Sequence, residues 1–391
     1  MLTWILSPWM FLLAIIFPKD KKLWLFGAWF GERYGDNSKA FFEFVVTKNQ
    51  GIKAYWVYKS KSLGDSLLQQ NIPCVYAYSL RGIYLQLRAK VFISSINSTD
   101  FIPFFLSFRN FYVQLWHGSP IKKVGLDMRE KGTLRYFVDR LRFSLFDKYT
   151  LVISPAETFD KLYSSAFNVP LKKVHRCGYP RNEYLKITDE IKASVKSKLE
   201  IGQNQKIVIY MPTHRNEGRM GTNDENGLRA NILKILDLNQ AFSQLNLTVV
   251  VKPHYYDKEN LEGLPNKSNI KFVYETPVDL YQLLGASDAL LTDYSSVVFD
   301  YELTGHPIIL WPFDLEQYLA EDRKMYFDFK DIYKKLLNSW EVNSYEELPV
   351  LLGKDGFFKK ECVKKSLFNT PMNDYSSNIY NKIISELKLG N

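Results

Sequence analysis

The sequence predicts an α/β protein made of two doubly wound, Rossmann-like domains with a cleft between them. Short apolar runs rich in β-branched and aromatic residues alternate with amphipathic stretches, and these runs fall into two series bounded by Gly, Pro, Asn or Ser. Strands that alternate with helices along a chain form parallel sheets covered by helices on both faces. Ligands bind such sheets at the carboxyl ends of the strands, so the residues that follow each strand are the functional candidates.

The predicted strands divide the chain into two domains. The first series comprises LWLFGAWF, KAYWVY, IPCVYAY, KVFISSI, NFYVQLWHG and YTLVISP. The second comprises KIVIYMPTHR, LTVVVKPH, IKFVYE, ALLTDYSS and HPIILW. The polar stretch ITDEIKASVKSKLEIGQNQ separates them, so we predict an N-terminal domain over residues 21–198 and a C-terminal domain over 199–391. The last helices are candidates to pack back on the first domain.

Composition narrows the class of protein. At 391 residues the chain exceeds one ordinary core, and 46% hydrophobic with 24% charged residues excludes a disordered protein. The net charge of +9 predicts an anionic partner: nucleic acid, a phosphorylated substrate or a membrane surface. The three cysteines, Cys74, Cys177 and Cys362, are far apart and form no CxxC pair, which favours a reducing compartment and argues against a zinc site.

The first twenty residues are interpreted as a membrane anchor. The apolar run from Leu2 to Phe17 is interrupted by Pro8 and followed by Lys19, Lys21 and Lys22. The run is shorter than the about 20 residues that span a bilayer, and it lacks the basic start and small-residue cleavage site of a signal peptide. We favour a segment that dips into the membrane over a full span or a buried first helix, with the body of the protein on the cytoplasmic face.

A second candidate membrane element is MREKGTLRYFVDRLRFSLFDKY, residues 128–149. It interleaves basic side chains with apolar ones at helical spacing, and a basic amphipathic helix is typical of a membrane-surface element. An ordinary surface helix explains the same pattern equally well.

His117 is the first candidate for chemistry. It ends the predicted strand NFYVQLWHG, and the turn Gly118-Ser119-Pro120 that follows directs the imidazole into the cleft. Histidine titrates near neutral pH, so it can take a proton from an attacking hydroxyl. Lys122 and Lys123 come next and are suited to holding phosphate oxygens, with Ser119 beside them. A lone histidine is more often structural, but one at a strand end flanked by Gly and Lys has both readings open.

The second domain repeats this arrangement at two strand ends. VVVKPHYYD places Lys252 and His254 after one strand, and IYMPTHR places Thr213, His214 and Arg215 after another. Arginine binds phosphate through two parallel hydrogen bonds. Three strand ends that each offer His with Lys or Arg together predict an anion site.

The stretch LLTDYSSVVFDYEL predicts a phosphate site at the start of a helix. Thr292 and Asp293 end the apolar run, and Ser295 and Ser296 precede the helical spacing. Free N–H groups and the helix dipole favour an anion at that position, although a plain serine cap explains one serine without a ligand. Asp300 and Glu302, further along, either reach a ribose hydroxyl or face solvent.

The polar loop in FGAWFGERYGDNS is predicted to lie on the acceptor side. Its glycines lack the G-x-G-x-x-G spacing of a nucleotide-binding fingerprint, and Asp36 and Asn37 would face the cleft. The sequence contains no Walker motif and no cluster of metal ligands, so no metal site is predicted and metal dependence is left open. His175 and His306 are interpreted as structural.

Seven segments carry a resemblance to a known family. In chain order they are FGAWFGERYGDNSK, LWHGSPIKKVG, VISPAETF, CGYPRNEYL, YMPTHR, KPHYYD and LTDYSSVVFDY. Between about residues 20 and 320 the chain resembles the CDP-glycerol glycerophosphotransferases of teichoic acid and capsule synthesis. The resemblance implies a GT-B fold, a CDP-alditol donor in the C-terminal domain, association with an anionic membrane surface and a polyprenyl-linked saccharide acceptor. A nucleic-acid partner is not expected.

The resemblance also implies roles for single residues. His117 would be the catalytic base, His254 would bind or neutralise the donor phosphates, and Arg215, Ser295 and Ser296 would complete the phosphate cradle. His214 stands where family members often carry an aromatic residue. Polymerases of the family usually have longer N-terminal extensions, so the length of this chain favours a primase or a small capsule enzyme without deciding the question.

Three functional hypotheses follow. The first is transfer of glycerol phosphate from CDP-glycerol to an acceptor hydroxyl with release of CMP, with CDP-ribitol as an alternative donor. The second is a GT-B glycosyltransferase that would release UDP or GDP instead. The third is a non-catalytic protein that binds nucleic acid or anionic lipid, in which basic residues would form an outer patch and histidine substitutions would have little effect. The concentration of His, Arg and Lys at strand ends favours the first.

Overall fold

The computed structural model divides the chain into two compact units. Unit 1 comprises the described residues of Met1–Ser119, Lys123–Glu183 and Met372–Asn391, and unit 2 those of Pro120–Lys122 and Tyr184–Pro371. The residues that the structure describes are 7–213, 228–254, 257, 261, 263–274, 278–316, 318, 324–363, 366–371 and 374–389.

Unit 1 is built on a parallel sheet whose described strands are, in chain order, β1 Asp20–Gly27, β2 Lys53–Tyr58, β3 Cys74–Tyr76, β4 Ala89–Ser94, β5 Phe111–Gln114, β6 Leu151–Ser154 and β7 Val174–Arg176. Their spatial order is β3-β2-β1-β4-β5-β6-β7, with every neighbouring pair parallel. The described α-helices of the unit are Ser7–Ile16, Asp36–Lys48, Lys61–Gln69, Leu80–Arg88, Leu134–Leu145, Glu157–Ala166 and Tyr375–Leu387. The strand order reverses between β1 and β4, which makes that point the switch point of the sheet.

One face of this sheet buries a large aromatic core. Trp24, Phe41 and Trp56 are fully buried, and Ile379 and Ile383 of the helix Tyr375–Leu387 belong to the same cluster. The strands read as continuous apolar runs because both faces of a parallel sheet are covered. The last helix of the chain is therefore part of the core of unit 1.

Unit 2 repeats the same topology. Its described strands are β8 Lys206–Met211, β9 Leu247–Val251, β10 Ile270–Phe272, β11 Ala289–Thr292, β12 Ile308–Leu310 and β13 Ser339–Glu341, in the spatial order β10-β9-β8-β11-β12-β13. All are parallel, and the order reverses between β8 and β11. The helices of unit 2 within the described residues are Asp189–Lys198, Leu228–Asp237, Asn239–Gln244, Leu280–Ala286, Val297–Tyr301, Phe329–Tyr333 and Glu347–Leu352.

The units meet along the chain at residue 184 rather than at the predicted residue 199. The helix Asp189–Lys198 packs against the helix Leu280–Ala286 of unit 2. Lys192 Nζ donates to Asp288 Oδ1 at 2.6 Å, and a Cβ on Gly285 would lie only 2.5 Å from the carbonyl oxygen of Leu185. These tertiary contacts assign the polar stretch to unit 2, although its composition reads as a linker.

The N-terminal apolar run contributes one short helix to the described residues. The helix Ser7–Ile16 starts one residue before Pro8, which is tolerated there because the first turn of a helix has no use for the missing N–H. Within the described part of the chain, no helix combines the length and the apolar character that crossing a membrane requires.

Candidate active site

His117 lies just beyond β5, beside the switch point of unit 1. Its ring packs at 4.1 Å from the ring of Trp116 and at 5.5 Å from that of Trp29, measured between centroids. His117 Nδ1 lies 3.1 Å from the carbonyl oxygen of Ser95, which follows β4. A carbonyl oxygen only accepts, so Nδ1 carries the proton and Nε2 carries the lone pair. That tautomer is the one in which Nε2 can act as a base.

The backbone around His117 adopts conformations that need support. Trp116 has φ +56° and Gly118 has φ +149°, both in the region that L side chains rarely adopt. Three side chains from other elements donate hydrogen bonds to successive carbonyl groups here. Asn37 Nδ2 bonds the carbonyl oxygen of Trp116 at 2.9 Å, Arg181 Nη1 that of His117 at 2.8 Å, and Tyr163 OH that of Gly118 at 3.0 Å.

Asp36 and Asn37 belong to this network. Arg181 Nη1 also donates to Asp36 Oδ1, Trp29 Nε1 donates to Asp36 Oδ2 at 2.6 Å, and the backbone N–H of Arg181 donates to Asn37 Oδ1 at 3.2 Å. The side chains of Asp36 and Arg181 are only 11% and 8% exposed. Both oxygens of Asp36 and both polar atoms of Asn37 are thus occupied by the protein. The structure places Asp36 and Asn37 beside the segment that carries His117, with their polar atoms bonded to protein groups. Their place on the acceptor side stays a prediction.

The buried carboxylate of Asp100 stabilises the turn that carries Trp29. The backbone N–H of Phe30, which has φ +63°, donates to Asp100 Oδ1 at 2.8 Å. Burial raises the pKa of Asp100 to about 7, although nearby Lys59 and several backbone N–H groups oppose this shift. Lys59 Nζ donates to the carbonyl oxygens of Thr99 and Phe101 at 2.5 and 2.6 Å, and burial lowers the pKa of Lys59.

The residues that follow His117 in the chain belong partly to unit 1 and partly to unit 2. Ser119 is the last residue of this segment in unit 1, and its buried Oγ has no hydrogen-bond partner among the described residues. Lys122 belongs to unit 2, where it pairs with Met325 and its Nζ lies 4.6 Å from the ring centroid of Tyr318. Lys123 is half-buried and returns to unit 1. The predicted Lys pair is therefore divided between the units.

In unit 2, Asp293 links the segments that follow β8 and β11 at the switch point of the sheet. Its Oδ1 accepts from the backbone N–H of Thr213 at 2.9 Å and from Thr213 Oγ1 at 2.5 Å. Thr292 Oγ1 donates to the carbonyl oxygen of Met211 at 2.6 Å, and Tyr333 OH donates to the carbonyl oxygen of Asp293 at 2.7 Å. Thr213, Thr292 and Asp293 thus fix the segments that leave the two central strands.

The other predicted donor residues lie at neighbouring positions. Lys252 and His254 follow β9, which pairs with β8. Lys252 is half-buried and its Nζ donates to the carbonyl oxygen of Tyr274 at 3.1 Å, whereas His254 is exposed. Ser295 Oγ accepts from the backbone N–H of Val297 at 3.3 Å, whereas the Ser296 side chain makes no capping bond.

The helix that follows the serine pair is short. Val297–Tyr301 has five residues, so its dipole is small. Asp300 and Glu302 neither face solvent nor are available to a ribose, because both are buried. Tyr281 OH donates to Asp300 Oδ2 at 2.7 Å, and the backbone N–H of Leu337 donates to Glu302 Oε1 at 3.0 Å. His214 and Arg215 lie outside the described residues.

Sequence reasoning missed three members of the His117 network: Arg181, Ser95 and Tyr163. Arg181 lies in CGYPRNEYL, directly after β7, so the strand-end rule that selected His117 also applies to it. Ser95 follows β4 and bonds His117 through its main chain, for which the sequence has no signal. Among the described residues, no group of three or more His, Cys, Asp or Glu side chains is arranged to hold a metal.

Two Rossmann-like units, each built on a parallel doubly wound sheet, give the chain a GT-B-like fold. The chain belongs to the family described as CDP-Glycerol:Poly(glycerophosphate) glycerophosphotransferase, which it matches over residues 9–335.

Three relatives illustrate this membership. The chain is 30% identical to the teichoic acid glycerol-phosphate transferase of Staphylococcus aureus over 80% of its own length and 79% of that protein. It is 28% identical to the teichoic acid poly(glycerol phosphate) polymerase of Bacillus subtilis over 82% of its own length but only 43% of that protein. A structure of a variant of the wall teichoic acid polymerase TagF soaked with CDPG matches with a TM-score of 0.76 at 21% identity, covering 95% of this chain and 90% of that one.

Proposed function

We propose that this protein transfers glycerol phosphate from CDP-glycerol to a hydroxyl group of a polyprenyl-diphosphate-linked saccharide or poly(glycerol phosphate) acceptor in teichoic acid or capsule synthesis. The observation that carries the proposal is the setting of His117 in a chain of this family. The imidazole stands at a strand end with its proton on Nδ1, held towards Ser95, so that Nε2 can receive a proton.

The proposed reaction is a single displacement at phosphorus. The acceptor oxygen attacks the β-phosphorus of CDP-glycerol and forms a new P–O bond, the bond between the β-phosphorus and the bridging oxygen breaks, and CMP leaves. His117 Nε2 takes the proton that the acceptor hydroxyl loses. Phosphoryl transfer depends mainly on positioning and on stabilisation of charge, so one well-placed base and a set of cations suffice as protein groups.

Unit 2 is the proposed donor-binding unit. Lys252 and His254 follow β9, and Asp293 fixes Thr213 at the end of the adjacent strand, where the chain continues towards Arg215. In this proposal Lys252, His254 and Arg215 bind the diphosphate of the donor, and the backbone around Ser295 and Ser296 contributes N–H groups. The names of the relatives, with the CDPG soak of TagF, favour glycerol over ribitol as the alditol of the donor.

The test is a panel of nucleotide donors. The purified full-length protein is incubated with CDP-glycerol, CDP-ribitol, UDP-sugars and GDP-sugars together with a lipid-linked saccharide acceptor, and released nucleotides are identified by chromatography. We expect CMP from CDP-glycerol. CMP from CDP-ribitol alone would assign the alternative donor, and release of UDP or GDP would favour a glycosyltransferase and contradict the proposal.

We further propose that unit 1 docks on the cytoplasmic face of the cell membrane through the helix Leu134–Leu145. Its apolar residues face outwards: the exposed fractions are 80% for Leu134, 55% for Phe137, 56% for Val138 and 58% for Leu141. An ordinary surface helix turns its apolar stripe towards the core, but here Phe143 is the buried residue of the helix. The basic residues that the sequence interleaves with this stripe match an anionic bilayer.

The helix Ser7–Ile16 exposes a second apolar surface, and Arg109 donates to the carbonyl oxygen of its Ile15. Trp9 and Ile16 of the helix Ser7–Ile16 are 67% and 73% exposed. Lys19, Lys90 and Arg109 direct their hydrogen bonds to main-chain carbonyl groups, and burial together with the other two cations lowers the pKa of Lys19 to about 8. Lipid phosphate groups would relieve the repulsion among these cations, so the helix Ser7–Ile16 is a second proposed contact with the membrane.

A further inference from the structure

We infer that the buried ion pair of Asp36 and Arg181 positions the catalytic base, rather than binding acceptor or phosphate. The inference rests on the proposed function of His117 as that base. Asp36 and Arg181 are positioning residues in this reading, since they act on the substrate only through His117.

Asp36 and Arg181 are largely inaccessible to a ligand. Their side chains are 11% and 8% exposed, and Arg181 Nη1 bridges Asp36 and the carbonyl oxygen of His117. Trp29 Nε1 occupies the second carboxylate oxygen of Asp36. A ligand that used this pair would first have to displace internal partners.

The segment that the pair supports has an unusual backbone geometry. Trp116, with φ +56°, and Gly118, with φ +149°, flank His117, so this backbone is held by its surroundings rather than by local preference. Arg181 supplies the bond to the His117 carbonyl group itself. A rotation of this peptide would carry the ring away from the carbonyl oxygen of Ser95, the group that sets the tautomer.

Asp36 and Arg181 also connect the segment of His117 to rigid secondary-structure elements. Asp36 is the first residue of the helix Asp36–Lys48, and the same helix turn contacts Ser95, because Ser38 Oγ lies 2.7 Å from Ser95 Oγ. Arg181 lies two residues before Glu183, whose Oε1 accepts from the backbone N–H of Ser376 at 2.7 Å. The start of this helix is thus linked to the His117 carbonyl group through Arg181 and to the His117 ring through Ser95.

Arginine suits this position for a geometric reason. Arg181 Nη1 carries two N–H donors whose directions are fixed by the guanidinium plane, and they serve the Asp36 carboxylate and the His117 carbonyl group. A lysine ammonium keeps the charge and has three donors, but they rotate freely on a shorter stem. Arg181→Lys therefore retains the ion pair while loosening the His117 peptide, and Asp36→Asn retains the shape while removing the charge.

The experiment is a double-mutant cycle on the full-length protein. Arg181→Lys and Asp36→Asn are each made in the natural sequence and in His117→Ala, and kcat and KM are measured from CMP release with CDP-glycerol. In the natural sequence we expect kcat to fall about 10–100-fold, as small misplacements of catalytic groups do, with KM for CDP-glycerol unchanged. In His117→Ala we expect no further fall of the residual rate, since residues that act as a unit are not additive.

A matched control separates positioning from general destabilisation. Asp288→Asn weakens another partly buried ion pair, that of Lys192 with Asp288 in unit 2, and should lower the melting temperature without changing kcat. If Arg181→Lys does not fold, the isosteric Asp36→Asn variant decides the question alone.

Each outcome of the cycle has one meaning. An unchanged kcat in the natural sequence, or the same fold-loss in both backgrounds, overturns the positioning role and leaves the proposed function intact. Normal turnover by His117→Ala overturns both, because no base would then remain to be positioned.

Discussion

The proposed membrane contact of the helix Leu134–Leu145 gives the most direct prediction of binding strength. In the variant Phe137→Ser with Leu141→Ser, two side chains that are 55% and 58% exposed lose their apolar surface. Full burial of such a side chain is worth about 1.5–3 kcal/mol, so burying the exposed half of each contributes about 2–3 kcal/mol for the pair. A factor of ten corresponds to about 1.4 kcal/mol, so the partition coefficient should fall roughly 30–150-fold.

The assay is co-sedimentation with vesicles that contain phosphatidylglycerol. The matched control is Leu68→Ser with Leu171→Ser, which removes two leucines of similar exposure, 58% and 49%, from elsewhere on unit 1. The control should bind vesicles like the natural protein, and all three proteins should bind more weakly at high salt. If the double variant in the helix Leu134–Leu145 binds as tightly as the control, the docking surface is wrongly assigned.

Three further predictions concern the base, acid stability and close packing. His117→Ala should lower turnover about 10²–10⁴-fold and leave CDP-glycerol binding intact in calorimetry; near-normal turnover would exclude it as the base. Burial lowers the pKa of His306 from 6.5 to about 4. The neutral ring therefore contributes fully to folding stability above pH 6.5. This contribution is lost as the pH falls from 6.5 towards 4, because the unfolded chain binds the proton more readily than the buried ring does. His306→Gln should flatten the fall in melting temperature over this range, and an unchanged slope would contradict the assignment. Gly285→Ala should cost about 1–3 kcal/mol of unfolding free energy in a denaturant titration, because its Cβ would meet the Leu185 carbonyl oxygen. A Cβ on Gly35 would meet nothing within 4 Å, so Gly35→Ala is the control, and equal losses would refute the packing argument.

The sequence predicted the sheets and the order of their strands along the chain because both depend on local patterns. Apolar runs covered on two faces identify parallel strands, and the position of His117 after β5 follows from where its run ends. The prediction of LWLFGAWF as one strand was wrong at its end. The strand stops at Gly27 and Trp29–Gly31 forms a turn, since aromatic residues in a turn look like strand residues until their φ angles are known.

The supporting network could not be predicted because it is made by distant residues. Arg181 and Asp36 are 145 positions apart, and no local pattern relates them. The sequence placed Asp36 in a polar loop on the acceptor side, and nothing in it indicated that the carboxylate bonds Trp29 and Arg181. Asp300 and Glu302 illustrate the same limit, since burial of a charged side chain depends on tertiary partners such as Tyr281.

The helix Tyr375–Leu387 imposes an order on biosynthesis. Ile379 and Ile383 complete the aromatic cluster around Trp24 and Phe41, yet the ribosome makes them only after all of unit 2. Throughout translation of that second half, the nascent first unit carries an open apolar groove where the last helix will seat. Its maturation is consequently post-translational, and a chain cut short before residue 375 would display the groove to chaperones and proteases.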